Sequence, residues 1–365
     1  MMKKLLAAGL AATAITPVAH AQNSVTLYGI IDAGISWTSN QGGHSNIQTT
    51  SGLNQGNRWG LRGTEDLGAG LKTVFVLENG FNSFNGTISQ GGREFGRQAY
   101  VGITSDSLGS LTLGRQYDSV VDTIQPFVEL GGIQDSHPGD MDNFYDSFRI
   151  NNAIKYTSPV TSGFKLTGLA SLGGVAGDFN NQSAYSAGIR YSGGPLALGL
   201  AWMHINRPGT TTNDGWYASS NVINGLYGAN ASAYQTIAAG ASYRIGKIQF
   251  KVNYSNVTFY NGSQSHDVRF DNAEGIVRYD FTPSTAVETA YTYTHGHVSS
   301  PDMVPLYHTG SVILDHFLSK RTDVYVMADY QRAAGSAKQA QVSPVTTASN
   351  GRSQTLIRVG MSHRF

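Results

Sequence analysis

The segment SVTLYGIIDAGISW (residues 24–37) alternates between apolar and more polar side chains from one residue to the next. Val25, Leu27 and Ile31 fall on one face of an extended chain, whereas Asp32 and Ser36 fall on the other. A period of two residues indicates a β-strand with one apolar and one polar face. The pattern returns in KIQFKVNYSN (247–256), DVYVMADYQ (323–331) and TLIRVGMSHRF (355–365), so the sequence predicts an all-β chain.

Sixteen segments carry this pattern and predict sixteen strands. They lie near residues 24–37, 57–66, 71–83, 94–105, 109–116, 150–158, 164–173, 183–193, 195–205, 234–245, 247–258, 268–281, 284–296, 305–318, 322–333 and 354–365. Seven short connections alternate with eight long ones. The long ones lie near 38–56, 84–93, 117–149, 174–182, 206–233, 259–267, 297–304 and 334–353. Short turns at one end and long loops at the other are typical of an antiparallel transmembrane β-barrel of the outer membrane.

A soluble β-sandwich also alternates, with its apolar face inside, so alternation alone does not separate the two architectures. The strand number, the loop asymmetry and the absence of cysteine favour the barrel. A sheet in lipid must close, because an open edge would leave backbone amides unpaired. Sixteen strands enclose an aqueous channel. Inward side chains are then expected to be wet, among them Lys251, Asn253, Glu274, Arg278, Glu288 and Asp329.

The first 21 residues, MMKKLLAAGLAATAITPVAHA, have the features of a secretory signal peptide. Two lysines precede an apolar run, and Ala19-His20-Ala21 forms the small-x-small cleavage pattern. We expect removal of residues 1–21 and a single barrel domain over residues 22–365. A formal charge of +1 over 365 residues gives no general attraction to nucleic acid, so no nucleic-acid partner is expected.

The longest acidic connection lies between Arg115 and Arg149 and contains no other Lys or Arg. It holds seven of the chain's 24 acidic residues, namely Asp118, Asp122, Glu129, Asp135, Asp140, Asp142 and Asp146. Loops of this length are uncommon in compact domains unless they have a function. We expect this third long loop to fold into the bore of the barrel and narrow it.

Several stretches resemble the trimeric general-diffusion porins of Gram-negative outer membranes. They are VTLYGIIDAG (25–34), RWGLRGTEDLGAGLKTVFVLENGF (58–81), FGRQAYVGI (95–103), LGSLTLGRQYDSVVD (108–122), RINNAIKYTSP (149–159) and the final HRF. The resemblance is close in the N-terminal half and a matter of pattern in the rest. It implies a passive, water-filled channel for ions and small hydrophilic solutes, embedded in outer-membrane lipid as a homotrimer.

The resemblance also implies a pore constriction, in which acids of the third loop face arginines on the barrel wall. Glu129 in FVELGG matches the loop glutamate of the family. The wall arginines match Arg58 in RWGLRG, Arg97 in GRQAYVG and Arg149 in RINNAIKY. Arg62 lies on the same strand face as Arg58 by its spacing and is a fourth candidate.

This sequence departs from the family pattern within the loop, because Gln125 stands where a second acid is expected. Asp118 and Asp122 either replace that acid or lie at the root of the loop. A ladder of arginines opposite carboxylates would bias ion passage. In the alternative interpretation, the arginines are packing residues that fix the loop to the wall, and the two roles overlap.

The C-terminal Phe365 follows a strand whose apolar face includes Ile357, Val359 and Met361. This ending resembles the signal that the barrel-assembly machinery recognises. An ordinary lipid-facing last strand would have the same pattern.

No catalytic, metal-binding or cofactor-binding motif stands out, and we expect neither an enzyme nor a cofactor. His295 and His297 share a strand face, but two histidines alone are weak evidence for a metal. Two other functions stay open. A barrel enzyme would need a nucleophile and base near the rim, and an adhesin or receptor would concentrate its function in the loops 38–56 and 206–233.

Overall fold

The computed structural model describes residues 24–128, 137–147, 149–211, 221–228, 230–263, 265–299, 302–343 and 345–365. The expected signal peptide at 1–21 lies outside these residues, and so do Glu129 and Asp135. Within the described ranges, no helix has both the length and the apolar character needed to cross a membrane.

The described residues form eighteen strands and a few short helices. The strands are β1 (Ser24–Gln41), β2 (His44–Ser51), β3 (Arg58–Gly68), β4 (Leu71–Gly80), β5 (Gln98–Ser105), β6 (Gly109–Gln116), β7 (Ile150–Thr157), β8 (Phe164–Ser171), β9 (Ala184–Gly193), β10 (Leu196–Asn206), β11 (Ala233–Ile245), β12 (Ile248–Ser263), β13 (His266–Thr282), β14 (Thr285–Ser299), β15 (Asp302–Met303), β16 (Pro305–Phe317), β17 (Thr322–Gly335) and β18 (Ser353–Arg364). The helical segments are α1 (Ser119–Ile124), α2 (Pro208–Thr211), a π-helical turn (Asn224–Gly228) and 3₁₀ turns at Gln90–Gly92, Gln125–Phe127 and Pro138–Asp140.

The strands form one closed antiparallel sheet, because β1 pairs with β18 from Ile30↔Arg364 to Thr38↔Leu356. β3 pairs with the first half of β1, and β2 pairs with its second half. β15 and β16 likewise both pair with β14. Each of these two couples occupies one position in the sheet, so the described strands fill sixteen positions. The predicted sixteen-stranded barrel is confirmed, although the expected loop at 38–56 contains the end of β1 and all of β2.

The two faces of the sheet divide by polarity as the alternation predicts. Along β12, Phe250 and Val252 are 44% and 55% exposed, whereas Lys251, Asn253 and Ser255 are buried. The apolar side chains therefore point out of the barrel and the polar ones point in. This is the reverse of a sandwich, so the soluble alternative is wrong.

The seam between the first and last strands is held by a buried ion pair inside the barrel. Arg358 on β18 donates to Asp32 on β1 at 2.7 Å, and neither side chain is exposed to solvent. Tyr325 on β17 donates to the other oxygen of Asp32 at 2.7 Å. Gly34 makes room for this contact, because a Cβ at this position would lie 2.9 Å from the guanidinium carbon of Arg358. The first and last strands are thus joined by side chains as well as by the sheet.

The inner wall is less wet than the sequence predicts. Of the six inward residues expected to be wet, five are buried, namely Lys251, Asn253, Glu274, Glu288 and Asp329. Residues from the connections pack against inward side chains of the wall. Met141 and Phe144 from the third connection join one buried apolar cluster, together with Ile223 and Tyr227 from the fifth. Val342 from the last connection joins a second cluster. Thus the expectation of a wet inner wall is wrong for these residues.

Candidate functional site

The third connection begins with helix α1, which Asp118 caps. One carboxylate oxygen of Asp118 accepts from the backbone nitrogens of Val120 at 2.7 Å and Val121 at 3.3 Å. The other accepts from the Asn143 amide at 2.7 Å. Asp118 is fully buried, and burial raises its pKa to about 6. It therefore caps the helix at the start of the connection.

Asp122 lies one turn further along α1 and keeps part of its surface exposed. Its carboxylate forms an ion pair with Lys155 on β7. Both residues line a cavity of about 450 Å³ on the inner wall, together with Arg62 and Lys165. Among the described residues of this cavity, three cations accompany a single acid.

Two of the predicted arginines converge on one group of side chains, which we call the root cluster: Glu78, Arg97, Tyr117, Asp146 and Arg149. Arg97 donates to Glu78 at 2.8 Å and also contacts Asp146 at 3.3 Å. Arg149 pairs with the other oxygen of Asp146 at 2.7 Å. The Tyr117 hydroxyl accepts from Arg97 at 2.7 Å and from Arg149 at 3.4 Å. Asp146 thus neutralises two guanidinium groups that would otherwise repel each other.

The other two predicted arginines stay outside these ion pairs. Arg58 is half-buried and donates to the Gly56 carbonyl at 2.8 Å. It lies within electrostatic reach of Arg97 and Asp146. Arg62 is exposed and lies over the ring of Tyr28 at 5.3 Å. Within the described part of the chain, no carboxylate pairs with Arg58 or Arg62.

Farther along the connection, two polar side chains of β12 hold its backbone. Two hydrogen bonds attach the backbone: Lys251 Nζ donates to the Val128 carbonyl at 2.6 Å, and Asn253 Nδ2 donates to the Phe127 carbonyl at 3.1 Å. Lys251 also pairs with Glu288 on β14 at 3.3 Å. These bonds attach the segment to the polar face of β12.

Beyond residue 136 lies what we call the distal cluster: His137, Asp142, Ser255, Asn272 and Glu274. His137 Nδ1 lies 2.5 Å from Asp142 Oδ2, and its Nε2 lies 3.7 Å from Glu274 on β13. The same Asp142 oxygen accepts from Ser255 Oγ at 2.5 Å and from Asn272 Nδ2 at 3.4 Å. Every member is buried. The loop carboxylate Asp142 is therefore hydrogen-bonded to the barrel strands, and the loop histidine lies within ion-pair distance of the wall carboxylate Glu274.

Sequence reasoning found Arg97 and Arg149 but missed the groups that hold them. Glu78 is one of the alternate residues of β4 that face into the barrel, so the alternation could have indicated it. Asp146 lies three residues before Arg149, so its spacing could have indicated it too. His137 gave no such signal, because its partner Glu274 is more than 130 residues away. Glu129, which matches the loop glutamate of the family, lies outside the described residues.

A family model described as Gram-negative porin matches residues 7–297. The chain belongs to the Gram-negative porin family. An outer membrane porin protein of Bordetella pertussis is 31% identical over the whole of both chains. The major outer membrane protein P.IB of Neisseria meningitidis is 28% identical, covering 78% of this chain and 91% of that one. The porin is therefore an outer-membrane protein, and its barrel serves as a passive channel.

Solved structures show the same fold. The anion-selective porin from Comamonas acidovorans matches with a TM-score of 0.76 and 22% identity, covering 94% of this porin and all of that chain. Over the described residues, no group of three or more His, Asp or Glu side chains is arranged to hold a metal ion. His297 is exposed within β14.

Proposed function

We propose that residues 117–149 of this porin fold into the barrel and narrow its water-filled channel. The observation that carries the proposal is the attachment of Phe127 and Val128 to Asn253 and Lys251. These two wall residues lie on the face of β12 opposite the exposed Phe250 and Val252. A segment bonded to that face occupies cross-section that would otherwise hold water.

The constriction in this proposal combines Arg58, Arg62, Arg97 and Arg149 on the wall with Glu129 and Asp122 on the loop. Asp118 is left out because it is fully buried as a helix cap. Glu78 and Asp146 neutralise Arg97 and Arg149. Arg58 and Arg62 keep exposed surface without a carboxylate partner among the described residues, which supports a preference for anions. The solved neighbour described as anion-selective supports the same preference.

Assembly follows the family pattern in this proposal. Residues 1–21 are removed on export, three copies associate, and Phe365 is recognised by the barrel-assembly machinery. The backbones of Phe365 and Gly29 exchange two hydrogen bonds of 3.1 Å, so the terminal residue completes the seam of the barrel. The porins of this family are channels. By the same pattern, we propose that this chain has no catalytic activity.

Planar-bilayer recording tests the channel, and a cross-link tests the position of the segment. The chain has no cysteine, so Val128→Cys with Lys251→Cys gives a single reactive pair. A bifunctional thiol reagent should join the two while stable conductance steps in multiples of three persist. Absence of conductance would contradict the channel. The control pair, Val128→Cys with Asp178→Cys, should not react. If Val128→Cys with Lys251→Cys reacts no faster than this control, the inward position of the segment is contradicted.

A further inference from the structure

The distal cluster differs from the rest of the inner wall because its ion pair depends on a histidine. His137 is fully buried between one loop carboxylate, Asp142, and one wall carboxylate, Glu274. Phe144 covers the imidazole with ring centroids 5.1 Å apart. The wall residues opposite are neutral donors, among them Asn253, which donates to Glu274. With a neutral imidazole, the two buried carboxylates would lose the cation between them.

Other charged groups around His137 come from two further strands and from the loop itself. On β12 and β14, Lys251 and Glu288 pair with each other at 3.3 Å. Within the loop, Asp140 is buried, and its two oxygens accept from the backbone nitrogens of Tyr145 at 3.0 Å and Ser147 at 3.1 Å. A proton on His137 therefore adds a positive charge to a site that has more acidic than basic side chains.

We propose that His137 is the positioning residue of the constriction loop, and that its protonation makes the docking of the loop to the wall dependent on pH. The proposal rests on the proposed function, because it assumes that the loop narrows the channel. It goes further by naming the group that fixes the far part of the loop and the condition that releases it.

The electrostatic surroundings give the direction of the effect. Burial alone would lower the pKa of His137, but Asp142 and Glu274 outweigh it and raise the pKa from 6.5 to about 10. Burial, with help from Asp142, raises the pKa of Asp140 from 3.8 to about 8. A group with a higher pKa in the docked loop than in water binds its proton more tightly when docked.

Both groups therefore favour docking at low pH. The contribution of His137 to the free energy of docking is complete below about pH 6.5 and is lost as the pH rises toward 10. The contribution of Asp140 is complete below about pH 3.8 and is lost as the pH rises through about 8. Between pH 6 and 9 the two effects add, so the loop becomes easier to release as the pH rises.

A single cysteine at Met141 measures the docked fraction, because this side chain is fully buried by the docked loop. The probe is a membrane-impermeant methanethiosulfonate reagent applied to the trimer in detergent. Protection is the labelling rate of a free thiol divided by the labelling rate of the cysteine in the protein at the same pH. We expect protection of Met141→Cys to fall about tenfold or more from pH 6 to pH 9. The matched control is Val121→Cys in helix α1, also buried, whose protection should stay constant.

Two variants separate positioning from simple packing. His137→Gln should flatten most of the pH dependence, leaving the part due to Asp140. Glu274→Gln keeps the imidazole and Asp142 but removes one carboxylate, so the midpoint of the pH dependence should move to lower pH. A purely structural role for Glu274 would change protection equally at every pH and leave the midpoint in place.

The outcomes also distinguish this inference from the proposed function. If wild-type porin conducts and Met141→Cys is equally protected from pH 6 to 9, the pH-dependent positioning is wrong while the constriction stands. If Met141→Cys is labelled as fast as a free thiol at pH 6, the loop is not docked, and the constriction itself is wrong. An unmoved midpoint in Glu274→Gln would overturn the role of His137.

Discussion

The root cluster and the distal cluster attach the same loop to the same barrel with different chemistry. In the root cluster, Arg97 and Arg149 carry permanent charges, and Asp146 lies between them. In the distal cluster the order is reversed, because one ionisable cation, His137, lies between two carboxylates. An arginine stays protonated at any physiological pH, whereas a histidine responds to pH. The loop therefore has one attachment made by permanent charges, the root cluster, and one that depends on a titratable side chain, the distal cluster.

The position of the two clusters along the loop gives this difference a consequence. The root cluster joins residues next to the ends of β6 and β7, where the loop leaves and rejoins the wall. The distal cluster holds residues about ten positions before the loop rejoins β7. If the loop narrows the channel as we propose, loss of the distal contacts would loosen residues 137–142 while the root cluster and the bonds to Phe127 and Val128 stay in place.

The largest expected effect comes from removing the acid that both arginines share. Asp146→Asn leaves Arg149 without its ion pair and Arg97 with Glu78 alone. Breaking a buried pair by removing one partner costs about 3–5 kcal/mol, so docking of the loop should weaken strongly at every pH. Labelling of Val121→Cys measures this at the root. Asp178→Asn, an exposed acid in another loop, is the control. Unchanged labelling would show that the shared acid does not hold the root.

The sequence predicted the barrel better than it predicted these anchors. Strand positions follow from alternation, which is local, and β12 was found within a few residues of its observed bounds. Arg97 and Arg149 were named because they lie in GRQAYVG and RINNAIKY, two stretches that resemble the porin family. His137 and Glu274 meet only because the loop crosses to β13, and no local pattern records that crossing. The burial of Lys251 beneath the loop was not predicted, for the same reason.

A smaller effect tests whether the two anchors are independent. Tyr117→Phe removes the hydroxyl that bonds both root arginines, and Ser255→Ala removes one donor to Asp142. Each change should weaken docking by about 1.5–3 kcal/mol, because each hydrogen bond involves a charged group. Effects at separated sites usually add within about 0.5 kcal/mol. We therefore expect the loss of docking free energy in the double variant to equal the sum of the losses in the two single variants. Cysteine protection at pH 6 measures these losses. A large deviation would mean that the two clusters act as one.

A change of ion preference is expected from the loop acids and not from their anchoring. Glu129→Gln combined with Asp122→Asn removes two negative charges assigned to the constriction. The reversal potential under a salt gradient should shift toward anions, because the wall arginines then meet fewer carboxylates. Protection of Met141→Cys should stay as in wild type. The matched control is Glu65→Gln with Asp66→Asn near the end of β3, two exposed acids whose removal should leave the reversal potential unchanged.

The smallest effect is expected from Arg62→Gln, because this arginine belongs to neither anchor. It is exposed, lies over Tyr28 and lines the cavity that holds Asp122 and Lys155. Its charge should add to the anion preference at low salt and lose its influence at 1 M salt, where screening acts over about 3 Å. Reversal potentials in 0.1 M and 1 M salt measure this difference. A shift of equal size at both salt concentrations would contradict this expectation, because it would show that dissolved salt does not screen the charge of Arg62.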